Sequence, residues 1–273
     1  MSALLSVAGK EFVDGLRNRW VIAIGLIFSV LAVGLAAFGA AVSGQVGFTG
    51  LATTMVSLST LTAFLIPLIA LLLAYDAVVG EEAQGTLVLL LTYPLSRAQL
   101  LAGKFLGHGA ILASAILGGF GVAGLVIGFL GASPPGELLL AFGRFMLSAL
   151  LLGWSFIGFA YLASALAQEK SKAAGLVLVI WFLLVLVFDL TLLALLVGGE
   201  GRVGQVWLRY LLLANPTDVF GLVNMLGFAE SAEEGGLLAI GAGFSYWLLV
   251  GVQVLWVLLP FGLAQWAFAR RHL

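Results

Sequence analysis

Gly80-Glu81-Glu82-Ala83-Gln84-Gly85-Thr86-Leu87, continuing to Tyr93-Pro94-Leu95-Ser96-Arg97, stands between two long apolar segments. It carries two adjacent acids, a Gly-Thr pair, a leucine run over 89–91, a proline stop, then Arg97 and, further on, Lys104. Such polar density is rare in this chain. Hydrophobic residues make up 62% of 273 and charged residues 9%, with a mean hydropathy of +1.18. A soluble domain carries about a quarter charged residues, so 9% is too few to cover a water-facing surface. The chain therefore reads as an integral membrane protein, and this stretch as a loop, with a short helix inside it, that a soluble partner grips.

Outward from the loop, apolar runs long enough to cross a hydrocarbon core of about 30 Å predict six spans. They are Trp20 to Val42, Leu51 to Val79, Phe105 to Leu130, Leu138 to Ala167, Ala173 to Val197 and Phe244 to Ala269. The first run is too long for the core of a cleaved signal peptide and reads as a retained anchor. The second is long enough to tilt or protrude. Pro67 and Pro260 sit inside spans, where proline kinks a helix. Before the first span, Leu4, Leu5, Ala8, Phe12, Val13, Leu16 and Trp20 recur at helical spacing, so residues 2–19 predict an amphipathic helix lying on the membrane. The alternative is an overhang that extends the first span. An even number of spans puts both termini on one side. With that side cytoplasmic, nine of the twelve basic residues face the cytosol, and Arg144, Arg202 and Arg209 face outside, as the positive-inside bias requires. The whole chain, 1–273, reads as a single all-α transmembrane domain.

Polar features inside the spans are few. Gly121, Gly124, Gly128 and Gly131, with Gly118 nearby, form a ladder whose spacing lets another helix approach closely. Asp189 is the one acid deep in an apolar run, some 12 Å from the outer end of its span by helical rise. A carboxylate there is costly and points to function; the structural alternatives are a partner such as Gln253, or protonation through desolvation. Between the last two spans, residues 198–243 form an outer segment. Trp207 to Leu213 is amphipathic, Asn215-Pro216-Thr217-Asp218 stops one helix and caps another, Val219 to Phe228 is apolar, and Glu230, Glu233 and Glu234 form an acidic tip. Two short re-entrant or surface helices fit this pattern.

Catalytic chemistry finds little to work with. The absence of cysteine excludes disulfides, thiolate metal sites and cysteine nucleophiles. Gly80-x4-Gly85-Thr86 lacks the lysine of a P-loop and no strand precedes it. Gly153-Trp154-Ser155 lacks the glycine that follows a nucleophilic serine. His108 and His272 are far apart in sequence and read as interfacial polar residues rather than metal ligands. A net charge of −1 gives no bulk attraction to nucleic acid. No internal repeat supports an inverted-repeat transporter.

Taken together, these features resemble the ABC-2 type permeases, the membrane subunits of exporter-like ATP-driven transporters. The resemblance runs through Glu82, Gly85-Thr86-Leu87, Leu89-Leu90-Leu91, Pro94, Ser96, Arg97 and Lys104, and it covers the N-terminal helix and the outer segment as well. It departs from the pattern at Glu81-Glu82-Ala83, where a basic residue usually separates the acids. It implies that 80–104 is a cytosolic coupling segment, with Glu81, Glu82, Gly85, Thr86, Leu87, Pro94 and Arg97 at the ATPase interface. It further implies ATP-Mg bound by a separate dimeric ATPase, a second copy of this chain, no cofactor or metal on the chain itself, and residence in a bacterial inner membrane. Within the family, Lys10 to Arg17 and Tyr75-Asp76 to Arg97 look like the permeases that serve nitrous oxide reductase maturation in denitrifying bacteria. That narrower resemblance implies a periplasmic beta-helical partner and a role in assembling copper centres, by transmitted motion or by export of a non-metal cargo. In the expected mechanism Glu81, Glu82 and Arg97 form salt-dependent contacts with the ATPase while Leu87, Val88 and Leu90 insert an apolar face. The rivals are an ABC-2 exporter of drugs, lipids or peptides, a stand-alone secondary transporter and an intramembrane enzyme.

Overall fold

The computed structural model describes residues 3–17, 20–42, 51–130, 134–198, 205–225 and 243–271. Among these, all regular structure is helical: α1 (Ala3–Arg17), α2 (Trp20–Val42), α3 (Leu51–Ala74), α4 (Val79–Ala83), α5 (Thr86–Thr92), α6 (Arg97–Leu130), α7 (Pro135–Leu166), α8 (Lys170–Phe182), a π-helical turn (Leu183–Val187), α9 (Phe188–Gly198), α10 (Gln205–Leu212), α11 (Pro216–Met225) and α12 (Tyr246–Arg270). Five helical stretches are long and apolar enough to cross a membrane: Leu51–Ala83, Arg97–Phe129, Pro135–Leu166, Lys170–Leu195 and Tyr246–Arg270. The bent pair Ala3–Arg17 and Ile22–Ala37 makes a sixth candidate. The second apolar run stops as regular α-helix at Ala74, before the expected Val79. The third helix starts at Arg97, well before the expected Phe105, because Pro94 and Ser96 set its start. Gly131, Arg202, the Glu230–Glu234 tip and His272 lie outside the described residues.

α7 is the central helix, with buried residues recurring from Leu138 to Ala165, and α3, α6, α11 and α12 pack around it. An aromatic chain threads this core: Phe28 stacks on Phe120 at 4.8 Å, Phe120 meets Phe145 edge-on at 4.9 Å, and Phe145 meets Phe220 at 6.1 Å. It links α2, α6, α7 and α11. α2 reaches α6 through a close backbone approach: a Cβ on Gly119 would lie 2.7 Å from the Gly25 carbonyl oxygen. The expected ladder is thus divided. Gly124 and Gly128 face Phe142 and Leu138 of α7, whereas Gly118 and Gly121 meet nothing, and the tight contact falls on a glycine outside the ladder.

α1 lies along the first turns of α6. Gly103 and Gly107 let it approach, since a Cβ at either would come within 3.0 Å of α1 backbone or side-chain atoms. Val7 and Phe12 turn toward the core, while Leu5, Val13 and Leu16 stay exposed on the other side. A helix with one face on protein and another apolar face open fits the amphipathic reading.

Two short helices, α10 and α11, lie between the last two spans. Asn215 ends one and caps the other: its Oδ1 accepts from the Thr217 backbone N–H at 3.2 Å. α11 is deeply packed, with Val219 and Phe220 fully buried, and Asn224 donates to Ser148 Oγ at 2.9 Å. It wedges between α3, α7 and α12.

Candidate coupling site

α4 and α5 form a bracket rather than a single helix. The bracket starts on α7, where the fully buried Ser164 hydroxyl accepts from the Val78 and Val79 backbone N–H groups at 3.0 and 3.1 Å. These are donors that the start of a helix leaves unpaired. Gly85 then breaks the helix at φ +70°, a left-handed conformation that a Cβ disfavours by about 1–2 kcal/mol. Across the break, Thr86 Oγ1 donates to the Glu81 carbonyl at 3.1 Å and also meets the Glu81 carboxylate. α5 ends at the extended Tyr93, as the residue before a proline prefers. α6 begins with a reciprocal capping box: Ser96 N–H donates to Gln99 Oε1 at 3.0 Å, and Gln99 N–H to Ser96 Oγ at 3.2 Å.

Ion pairs tie the bracket to three distant parts of the chain. Lys104, whose side chain is 5% exposed, sits between Glu81 at 2.7 Å and Glu11 at 2.8 Å, joining α4, α6 and α1. Burial pushes the Glu11 carboxyl upward, but the adjacent Lys104 ammonium outweighs it and holds the group below its ordinary value. Glu82 pairs with Arg271, whose guanidinium also donates to the Ser164 and Ala165 carbonyls at 3.1 and 2.7 Å. Arg97 donates to the carbonyls of Phe268, Ala269 and Arg271 at 3.0, 3.3 and 2.8 Å. It thereby supplies donors and positive charge to the carbonyl end of α12. Lys170 and Asp76 face each other at 3.6 Å. The N-terminal helix, the bracket and the C-terminal end of α12 therefore share one end of the bundle.

Glu81, Glu82 and Arg97 each have a partner inside the chain, so they brace the bracket. Leu87 is 2% exposed and packs in the chain's own core, and Leu90 packs partly against it; neither forms an outward apolar face. A seven-residue helix has two sides, and the inward one takes Leu87 and Leu90. The outward side carries Val88 and Leu89, with Tyr93 beyond, at 60, 63 and 69% exposure. Gly85 and Pro94 lie exposed at the two ends of α5, and Thr86 is half-buried. The His108 side chain is 12% exposed, and its Nδ1 lies 2.7 Å from the Tyr161 hydroxyl.

Asp189 lies at the opposite end of the bundle, just after the π turn. Its carboxyl and the Asp218 carboxyl of α11 line one cavity. The alternative partner Gln253 instead donates to the Ser148 carbonyl at 3.4 Å. Among the described residues no cluster of three or more histidine or acidic side chains is placed to hold a metal ion. Nor does the bracket set a nucleophile beside a base. What its arrangement offers is mechanical: an exposed apolar ridge fixed by charge pairs to α1, α6 and the end of α12 and by hydrogen bonds to α7.

A family profile described as ABC-2 family transporter protein matches residues 5–273. A protein of Stutzerimonas stutzeri named "Probable ABC transporter permease protein NosY" is 56% identical over 260 residues, covering 95% of this chain and 93% of the relative. A protein of the same name from Pseudomonas aeruginosa is 54% identical over 270 residues, covering 98% and 95%. By the profile that spans it and the relatives that align along nearly its full length, the chain belongs to the ABC-2 transporter family as a multi-pass membrane permease subunit.

Proposed function

We propose that the chain converts the closure of a partner ATPase dimer into movement of its outer helices, and that it serves copper-centre assembly in nitrous oxide reductase. The NosY name of its relatives supports the second half of this reading. The observation that carries the first half is the bracket: Val88, Leu89 and Tyr93 project outward from a segment tied by Glu81–Lys104–Glu11 and Glu82–Arg271 to the helices behind it. A push on the ridge moves α1, α6 and α12 together, and the Phe120–Phe145–Phe220 contacts carry the shift to α11. This is coupling through a rigid element with two arrangements. Two copies pair, one for each ATPase cleft. The bracket and both termini face the cytoplasm, as the basic-residue bias favours, and α10–α11 face a periplasmic beta-helical partner across the inner membrane. ATP-Mg is bound by the ATPase, and this chain carries no cofactor. What passes along the chain is motion or a non-metal cargo, since cysteine is absent and the described residues offer no metal cluster.

Glu82→Lys tests the reading, because it sets a cation against Arg271. The expected outcome is normal membrane insertion and ATPase recovery, with copper-deficient nitrous oxide reductase, and restoration by a second change, Arg271→Glu. Copper-replete enzyme in the single variant contradicts the bracing role.

A further inference from the structure

A cavity of about 210 Å³ opens between α3, the π turn and α11, at the end of the bundle away from the bracket. Its polar lining is Ser59, Thr60, Asp189, Thr217 and Asp218, and among the described residues no basic side chain lines it. Asp189 and Asp218 are its titratable groups, one from each facing element. Two carboxyl groups on one small cavity repel when both are ionised, and a pair that keeps one proton carries a single negative charge. In an apolar setting, with no cation beside it among the described residues, that charge is costly.

Ser59 supplies a second, independent observation. It is 2% exposed, it lines the same cavity from α3, and its hydroxyl has no hydrogen-bond partner. A buried hydroxyl left unmatched costs about 1–3 kcal/mol, and a bound group accounts for it. Around the site the polar atoms are already committed. A π turn leaves carbonyls without helical partners, and the Leu184 carbonyl is taken up by Asn215 Nδ2 at 2.8 Å. Asn215 Nδ2 also reaches Asp218 Oδ2 at 3.4 Å. Thr217 Oγ1 lies 2.8 Å from Asn215 Oδ1, and Thr60 Oγ1 donates to the Val56 carbonyl at 3.1 Å. The unmet demands are the charge of the carboxyl pair and the hydroxyl of Ser59.

We propose that this cavity binds one hard monovalent cation, for which sodium is the probe, between the Asp189–Asp218 carboxyl pair and Ser59 Oγ. Carboxylate and hydroxyl oxygens suit hard cations, and one such ion neutralises the singly protonated pair without releasing its proton. A second proton competes for the same charge. The bound ion links α3, α9 and α11, so its occupancy sets how firmly α11 is held against the bundle.

The purified full-length chain in detergent tests this directly. Sodium chloride is titrated against choline chloride at constant ionic strength, reading the thermal midpoint and tryptophan fluorescence. Trp181 is a suitable reporter, because its Nε1 donates to the carbonyl of Phe64, a residue of the cavity wall. The expected result is a saturable response to sodium. At low pH its midpoint rises about tenfold per pH unit, as competition with one proton requires. Ser59→Ala raises the midpoint about tenfold, Asp189→Asn abolishes the response, and Asp14→Asn on exposed α1 leaves it unchanged. Equal responses to sodium and choline overturn the proposal, as does a sodium response that survives in Asp189→Asn. A pH response with no sodium dependence also overturns it, leaving a pair that holds protons alone.

Discussion

Lys104 shows how much of the coupling end depends on one side chain. A buried ammonium between two carboxylates is held by its partners, and removing it leaves both acids facing one another in a poorly solvated pocket. Lys104→Met is expected to destabilise the chain by about 3–5 kcal/mol, read as a lowered thermal midpoint in detergent. Neutralising Glu11 and Glu81 in the same chain recovers much of that loss. A midpoint unchanged by Lys104→Met contradicts the pairing. The Glu11 carboxyl adds a pH dependence. Its folded-state value is lowered from the ordinary 4.5, so the stability it contributes is present above that value and drains away as pH falls through the lower, folded one. The thermal midpoint is therefore expected to fall on acidification below that point and to fall less in Glu11→Gln. Lys104 and Glu81 were visible in the sequence as members of one polar stretch. Glu11, in a different polar segment and 93 residues from Lys104, was not visible as their partner, because run length and helical period carry no information about which helices meet.

Elements were legible where local chemistry sets them. The Asn215-Pro216-Thr217-Asp218 stop, the proline end of the bracket and the apolar runs each act through neighbouring residues, and the structure follows them. The break of the bracket at Gly85 was less plain, since one glycine in eight polar and apolar residues fits a loop as well as a left-handed turn. Of the expected apolar face, Val88 points outward and Leu87 does not, for a related reason. Leu87, Val88, Leu89 and Leu90 are all apolar, so periodicity has no contrast to read, and only the packing of Leu87 against the core decides. The Ser96-x-x-Gln99 capping box was a readable signal that sequence reasoning passed over. At the α2–α6 crossing, Gly119→Val places side-chain atoms against the Gly25 backbone. Overpacking of this kind costs about 1–3 kcal/mol, and faster proteolysis of the α2 segment is the measurement that checks it. Proteolysis at the wild-type rate contradicts the close crossing.

Across the whole molecule, the bundle gathers α1, the α4–α5 bracket and the end of α12 at one end and α10–α11 at the other. The sequence anticipated this division from span parity, and the proposed orientation rests on the charge bias. The native chain has no cysteine, so single cysteines report cleanly on it. One at Gln84 is expected to react with a membrane-impermeant maleimide after the cells are opened, and one at Trp207 in intact spheroplasts. The reverse pattern contradicts the orientation.

The account stands or falls on what touches the outward ridge of α5. A photo-crosslinking amino acid at Leu89, with the same group at Leu5 of α1 as a control, reports this in native membranes. The account predicts a crosslink from position 89 to an ABC ATPase subunit, strengthened by a non-hydrolysable ATP analogue and absent from position 5. Crosslinks from position 89 to lipid or to this chain alone, with the ATPase present in the membrane, contradict it.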